Sequence, residues 1–140
     1  MAVLLEKNFP VEAGAFTTAG EASTTIKRTL KQLGVGAEVL RRVSVACYEV
    51  ELNLVIHSLG GTLTLLVDPE KVTLISKDVG PGIPDIEKAM TAGYSTASDE
   101  VRSLGFGAGM GLPNMKKYSD VFDIQTELGV GTTVTMKVNL

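Results

Sequence analysis

The stretch Gly105-Phe106-Gly107-Ala108-Gly109-Met110-Gly111-Leu112-Pro113-Asn114 constrains this chain more than any other. Glycine stands at every second position from 105 to 111. Backbone of that kind can take conformations closed to other residues and can approach another molecule closely. A helical pattern follows at once, with Leu112, Met115 and Lys116, and Pro113 is tolerated only in a first turn. Glycine-rich backbone running into a helix start presents free N–H groups and a positive dipole end, which together suit an anion such as phosphate. Taken alone, the same cluster also describes a flexible loop without a ligand. Its neighbours decide.

Composition excludes several partners. The chain of 140 residues is read as one domain, 1–140, large enough for a real core. Its net charge of −3 supplies no basic excess to neutralise a nucleic-acid backbone, so that partner is set aside. A single cysteine, Cys47, and a single histidine, His57, leave no internal disulfide and no zinc site. The start Met1-Ala2-Val3-Leu4-Leu5-Glu6 lacks the pattern of a signal peptide. No apolar run nears the roughly 18 residues of a membrane span. A soluble, reducing, cytoplasmic setting is expected, with no membrane partner.

Along the chain, residues 3–9 read as a strand ended by Pro10. A helix from Ala19 to Leu33 puts Ala22, Ile26, Leu30 and Leu33 on one face, and Gly34 and Gly36 break it. A second helix runs from Ala37 to His57. At about 100° per residue, Val43, Cys47, Val50 and Leu54 form its core stripe. Glu49 and Asn53, one turn apart, share a flank from which both can point into a cavity. Glu51 lies roughly 200° around from Glu49, so the two glutamates do different jobs. Cys47 has no basic neighbour to lower its pKa and reads as a small buried hydrophobe. Thr62–Val67 and Lys71–Lys77 form a hairpin around Asp68-Pro69-Glu70. Asp78 follows, then Val79-Gly80-Pro81-Gly82.

The span from Ile83 to Met90 reads as a short helix. Residues 91–104 show no periodicity and, with the glycine run, make a candidate lid over 91–108. After a helix from Gly109 to Ser119, a last hairpin alternates Phe122, Ile124 and Thr126 with polar residues, turns at Gly129-Val130-Gly131, and returns through Val134, Met136, Val138 and Leu140. Four or five strands and three or four helices suggest an α+β fold. The expected form is a two-layer sandwich of a mainly antiparallel mixed sheet, helices on one face and the other face wet.

Three pieces then stand in order: Glu49-x-x-x-Asn53 on a helix, Asp78-x-Gly80-x-Gly82 after a strand, and Gly105 to Gly111 before a helix. Singly, Glu49 and Asn53 are compatible with a solvated helix flank, and Asp78 with a turn cap. Together, their order resembles the N-box, G1 box and G2 box of the GHKL ATP-binding family, named for gyrase, Hsp90, histidine kinases and MutL. Gly131-Thr132-Thr133-Val134 fits that family's last strand, and the likeness runs from Ala37 onward.

The resemblance implies a role for each position. Asp78 would accept a hydrogen bond from the adenine amine, with Gly80 and Gly82 letting the backbone turn against the base, and Thr132 near the adenine pocket. Asn53 would hold Mg²⁺, and the glycines Gly105, Gly107, Gly109 and Gly111 would donate N–H groups to the phosphates. Glu49 would be the catalytic residue, orienting or deprotonating the nucleophile. His57, one turn beyond Asn53, also occurs in the N-box of the anti-sigma kinases, but reads as structural.

Within the family, a stand-alone domain of this size resembles the anti-sigma serine kinases. The segments Gly93-Tyr94-Ser95-Thr96-Ala97 and Leu104 to Asn114 look most like the RsbT-type switch kinases of the stressosome. Gly107 stands in the neighbourhood where anti-sigma kinases often carry an arginine, a departure that tells against a direct sigma-binding role and leaves the cation for the γ-phosphate open, with Arg102 one candidate. The implied function is a serine/threonine protein kinase acting on STAS-domain scaffold or antagonist proteins, released afterwards to a PP2C-type phosphatase or another output enzyme. The alternatives are an ATP-binding anti-sigma or co-activator module with little phosphotransfer, and a simple ATPase.

Overall fold

The computed structural model describes residues 4–15, 17–90 and 111–140. The candidate lid, Arg102, Gly105, Gly107 and Gly109 lie outside them, as does the side chain of His57.

Strands β1 (Leu5–Val11), β2 (Gly61–Val67), β3 (Lys71–Asp78), β4 (Val121–Glu127) and β5 (Gly131–Asn139) form one sheet in the order β1-β2-β3-β5-β4. Every pairing is antiparallel. Helices α1 (Glu21–Gln32), α2 (Ala37–His57), α3 (Ile86–Ala89) and α4 (Gly111–Lys117) complete the described elements.

The period-2 pattern explains the layers. Leu63, Leu65 and Val67 of β2, Val72 and Leu74 of β3, and Val134, Met136 and Val138 of β5 are buried on one face, where α2 covers β3 and β5. Val43, Ala46, Cys47, Val50 and Leu54 of α2 meet them in the core. Asp123, Gln125 and Glu127 of β4 stay exposed on the far face. This is the expected two-layer sandwich. Burial pushes the Cys47 thiol up to about 12, so it stays protonated and packs as a small hydrophobe.

Several boundaries differ from those expected, each for a local reason. β1 continues through Pro10 to Val11, because an edge strand tolerates a residue without an N–H. α1 starts at Glu21 rather than Ala19, since Gly20 is left-handed at φ +98°. It ends at Gln32, which leaves Leu33 54% exposed instead of in the core stripe. α3 begins only at Ile86, where the Asp85 side chain accepts a hydrogen bond from the Lys88 N–H. α4 ends at Lys117, two residues short of Ser119.

Two side-chain contacts fix the helices that carry the site. Glu51, 2% exposed, reaches from α2 to the start of α1. Its Oε2 accepts from Gly20 and Ala22 N–H at 3.0 and 3.3 Å, and its Oε1 from Ser23 N–H and Oγ–H at 2.8 and 2.6 Å. A carboxylate from another helix thus replaces the missing local cap. At the other end, Arg42 of α2 pairs with Asp120, just after α4, at 3.2 Å. Asp120 also accepts from Asn139 N–H at 2.7 Å, so α4 is pinned across α2 beside the sheet.

Candidate functional site

The sequence-predicted residues within the described chain fall into two groups. The first lies where α2 meets the start of α4. Glu49 and Asn53 project from one flank of α2 toward Gly111, the first residue of α4. A Cβ on Gly111 would sit 3.2 Å from Asn53 Oδ1 and 3.3 Å from Glu49 Oε2. Only a residue without a side chain brings the helix start this close to both polar groups without displacing them. Glu49 is half-buried, and loss of solvent raises its pKa above that of an exposed glutamate. A hydrogen bond from Asn114, in the first turn of α4, partly offsets that rise.

The second group lies at the end of the sheet. Gly61 of β2 pairs with Asp78 of β3, and Thr132 of β5 pairs with Thr126 of β4. Thr132 N–H donates to Asp78 Oδ1 at 2.9 Å, linking the two pairs into one row on the core face. Partial burial raises the Asp78 pKa, and the Thr132 N–H works against that shift. The loop after Asp78 lies against the β4–β5 turn. Gly80 N–H donates to Val130 O at 3.1 Å, and Gly129 N–H to Pro81 O at 2.9 Å. Gly82 is left-handed at φ +77°, and a Cβ there would come within 2.7 Å of Glu127 O. Gly131, at φ +158°, leaves no room for a Cβ against the Asp78 carbonyl.

The two groups share one end of the fold, because Ser58, just past the end of α2, abuts Gly80. Sequence reasoning missed two residues. Thr126 falls at an inward position of β4, and its hydroxyl among inward apolar residues is the signal in the sequence. Asn114 closes the glycine-rich stretch, three residues after Gly111, and its place beside Glu49 depends on how α4 packs on α2.

Residues 38–140 match the family described as histidine kinase-, DNA gyrase B-, and HSP90-like ATPase. The chain belongs to that family. Its ligand is therefore ATP, and its branch is that of the anti-sigma kinases. The chain is 32% identical to the serine/threonine-protein kinase RsbT of Bacillus subtilis over 112 residues, covering 77% of this chain and 78% of that one. It is 31% identical to an anti-sigma F factor of Clostridium acetobutylicum over 121 residues, covering 83% and 81%. The fold also resembles that in the crystal structure of the SiaB-SiaC complex from Pseudomonas aeruginosa. There the TM-score is 0.55 at 10% identity, over 99% of this chain and 91% of that one.

The donor set suits a metal held mainly by its nucleotide. Among the described residues no three of His, Cys, Asp and Glu gather as a metal cage, and no helix is long and apolar enough to cross a membrane. Asn53 contributes one hard amide oxygen beside a helix start. Magnesium commonly takes one or two protein oxygens and completes its shell with phosphate and water.

Proposed function

We propose that this chain is a serine/threonine protein kinase that transfers the γ-phosphoryl group of ATP to a hydroxyl of a STAS-domain partner. It would work in a partner-switching module of the stressosome type, and phosphorylation would release the kinase to a second partner, such as a PP2C-type phosphatase. The observation that carries this reading is the placement of a half-buried glutamate beside Asn53 and the start of α4. A kinase needs a group there to handle the acceptor proton, and a glutamate of raised pKa suits a base working near neutral pH.

The roles follow from the groups present. Asp78 Oδ1 is committed to Thr132 N–H, so the second carboxylate oxygen accepts the adenine amine. Guanine carries a carbonyl at that position and is rejected. Gly80 and Gly82 hold the loop beside the base, and Gly111 N–H faces the phosphates. Magnesium on the Asn53 amide oxygen would neutralise charge on the transferring group. Glu49 accepts the proton as the acceptor oxygen attacks phosphorus in line and ADP leaves. The relatives named anti-sigma F factor suggest a sigma factor as a further binding partner, and the alternative to a kinase is an ATP-binding module with little transfer.

The deciding experiment follows label from ATP-Mg²⁺ to a panel of STAS-domain proteins, with wild type beside Glu49→Gln and Asp78→Asn. Label on a partner serine or threonine, lost in the Glu49 variant, supports the kinase. ATP binding without transfer to any partner moves the chain to the binding-module reading.

A further inference from the structure

Large apolar side chains scattered singly over a surface are ordinary, but a group of them is not. Leu59, Val79, Leu128 and Val130 are 75%, 64%, 65% and 55% exposed, and none of them packs on the core. They come from three separate segments, which backbone contacts bring together around the loop 79–82. Leu59 N–H donates to Val79 O at 2.8 Å, and Gly80 N–H to Val130 O at 3.1 Å. Gly82 lies so close to the β4–β5 turn that a Cβ would stand 3.1 Å from Leu128 Cα. The fold makes no use of the four side chains. Ser58 Oγ, accepting from Gly60 N–H at 2.9 Å, closes the bend at Leu59. Gly129, at φ +77°, supplies the left-handed residue of the β4–β5 turn, where polar residues and glycine are the usual choice. Lys77 and Glu127, both exposed and of opposite sign, flank Val79 and Leu128. An apolar centre with a polar rim is the anatomy of a protein interface.

We propose that these four residues anchor the acceptor protein, which seats an aliphatic segment on them while its hydroxyl reaches Glu49. Position and size select this occupant. Glu49 stands eight residues before His57, the last residue of α2, and Leu59 follows two residues later. Eight residues of helix rise about 12 Å. A partner covering about 800 Å², roughly 30 Å across, therefore spans both places. A patch of four aliphatic side chains, on the order of 300–600 Å² at most, falls short of that area and alone holds no stable second copy. It suits one part of a transient footprint that is completed at the helix end of the site. The inference rests on the kinase reading and names the surface by which the substrate is recognised.

The test is steady-state transfer from ATP-Mg²⁺ to the STAS-domain protein that wild type labels, with kcat and KM for that protein measured separately. Leu59→Asp and Leu128→Asp place a charge in the patch, and Leu59→Met keeps it apolar. Leu33→Asp, at an exposed side chain just past the end of α1, controls for a charge added elsewhere. Each patch aspartate should raise KM for the acceptor by about 10-fold or more, with kcat and ATP affinity within about twofold of wild type. Leu59→Met and Leu33→Asp should resemble wild type. An unchanged KM in both patch aspartate variants overturns the inference. So does a fall in ATP affinity that accounts for the lost transfer, since the patch would then only support the loop. Sedimentation of the same proteins tests the other occupant: a wild-type dimer dissociated by Leu59→Asp, with KM unmoved, gives the patch to a second copy and overturns the inference too. A wild type that binds ATP and labels no protein removes the kinase reading, and this inference with it.

Discussion

The two halves of the site are built in opposite ways. At the sheet end, Thr132 N–H meets Asp78 and Ile83 N–H meets Thr126, the two threonines touch through their hydroxyls, and Gly82 and Gly131 press backbone onto backbone. At the helix end, Glu49 and Asn53 are side chains reaching from α2 toward α4, and the contact recorded for the Glu49 carboxylate comes from the neutral amide of Asn114. Backbone geometry is fixed by the fold, so the sheet end suits recognition of a rigid planar base. Partly desolvated side chains with few partners keep their proton affinity available, so the helix end suits chemistry. If this division holds, changes at one end should alter transfer and changes at the other should alter binding.

The largest effect is expected at the helix end. Glu49→Gln keeps shape and removes the basic oxygen, and should lower phosphoryl transfer by about 10²- to 10⁴-fold, the usual worth of a positioned base. ATP affinity, read by calorimetry, should stay within about twofold if binding resides at the other end. Comparable losses in both would break the division.

Asp78→Asn is the reciprocal change. The new side chain can still accept Thr132 N–H through its oxygen, but then turns an amide donor toward the adenine amine. ATP affinity should fall by about 10- to 100-fold, a charged hydrogen bond's worth. Transfer at saturating ATP should remain near wild type. A large fall in the saturated rate with affinity intact would reverse the two assignments.

The elements of this fold were legible where one local rule sufficed. The periods of β2, β3, β5 and α2 gave their faces, and the Asp68 turn closes as its chemistry demands, with Asp68 Oδ1 accepting from Glu70 and Lys71 N–H. Spacing on α2 was enough to bring Glu49 and Asn53 onto one flank. What stayed hidden depends on partners distant in sequence. Glu51 was separable from Glu49 by angle, but that it caps α1, 28 to 31 residues away, needs the packing of two helices. Thr126 matters through Ile83, 43 residues earlier, which only the G1 loop folding over the hairpin reveals. The exposure of Leu33 turned on where α1 stops, the feature least constrained by periodicity.

Glu51 also provides the control between the two glutamates. Glu51→Ala removes the acceptor for three N–H groups and a hydroxyl at the start of α1. It should cost about 1–3 kcal/mol of stability in denaturant unfolding. The folded protein should still bind ATP, because Glu51 faces α1 rather than the site. Unaltered stability with lost transfer would mean that Glu51, not Glu49, serves the chemistry.

The smallest effect is a displacement in pH, and it tests whether the helix end is tuned as well as shaped. Burial raises the Glu49 pKa, so the carboxylate is protonated, and unable to act as a base, at a pH where an exposed glutamate is already ionised. The acid limb of the transfer rate should therefore lie above the ordinary glutamate range. Folding is linked in the same direction: a carboxyl whose folded pKa is raised adds stability below its unfolded pKa, and that contribution is lost as pH rises through the folded one. Asn114 opposes the shift by donating to the anion. Asn114→Ala should move the acid limb to still higher pH, and slow transfer by less than about tenfold on the alkaline plateau, where Glu49 is ionised in both proteins. Asp78, whose pKa is also raised by partial burial, would enter the binding step instead, so the same limb should appear in ATP affinity only through Asp78. An Asn114→Ala profile that drops uniformly, with its limb unmoved, would show that Asn114 packs against Glu49 without tuning it.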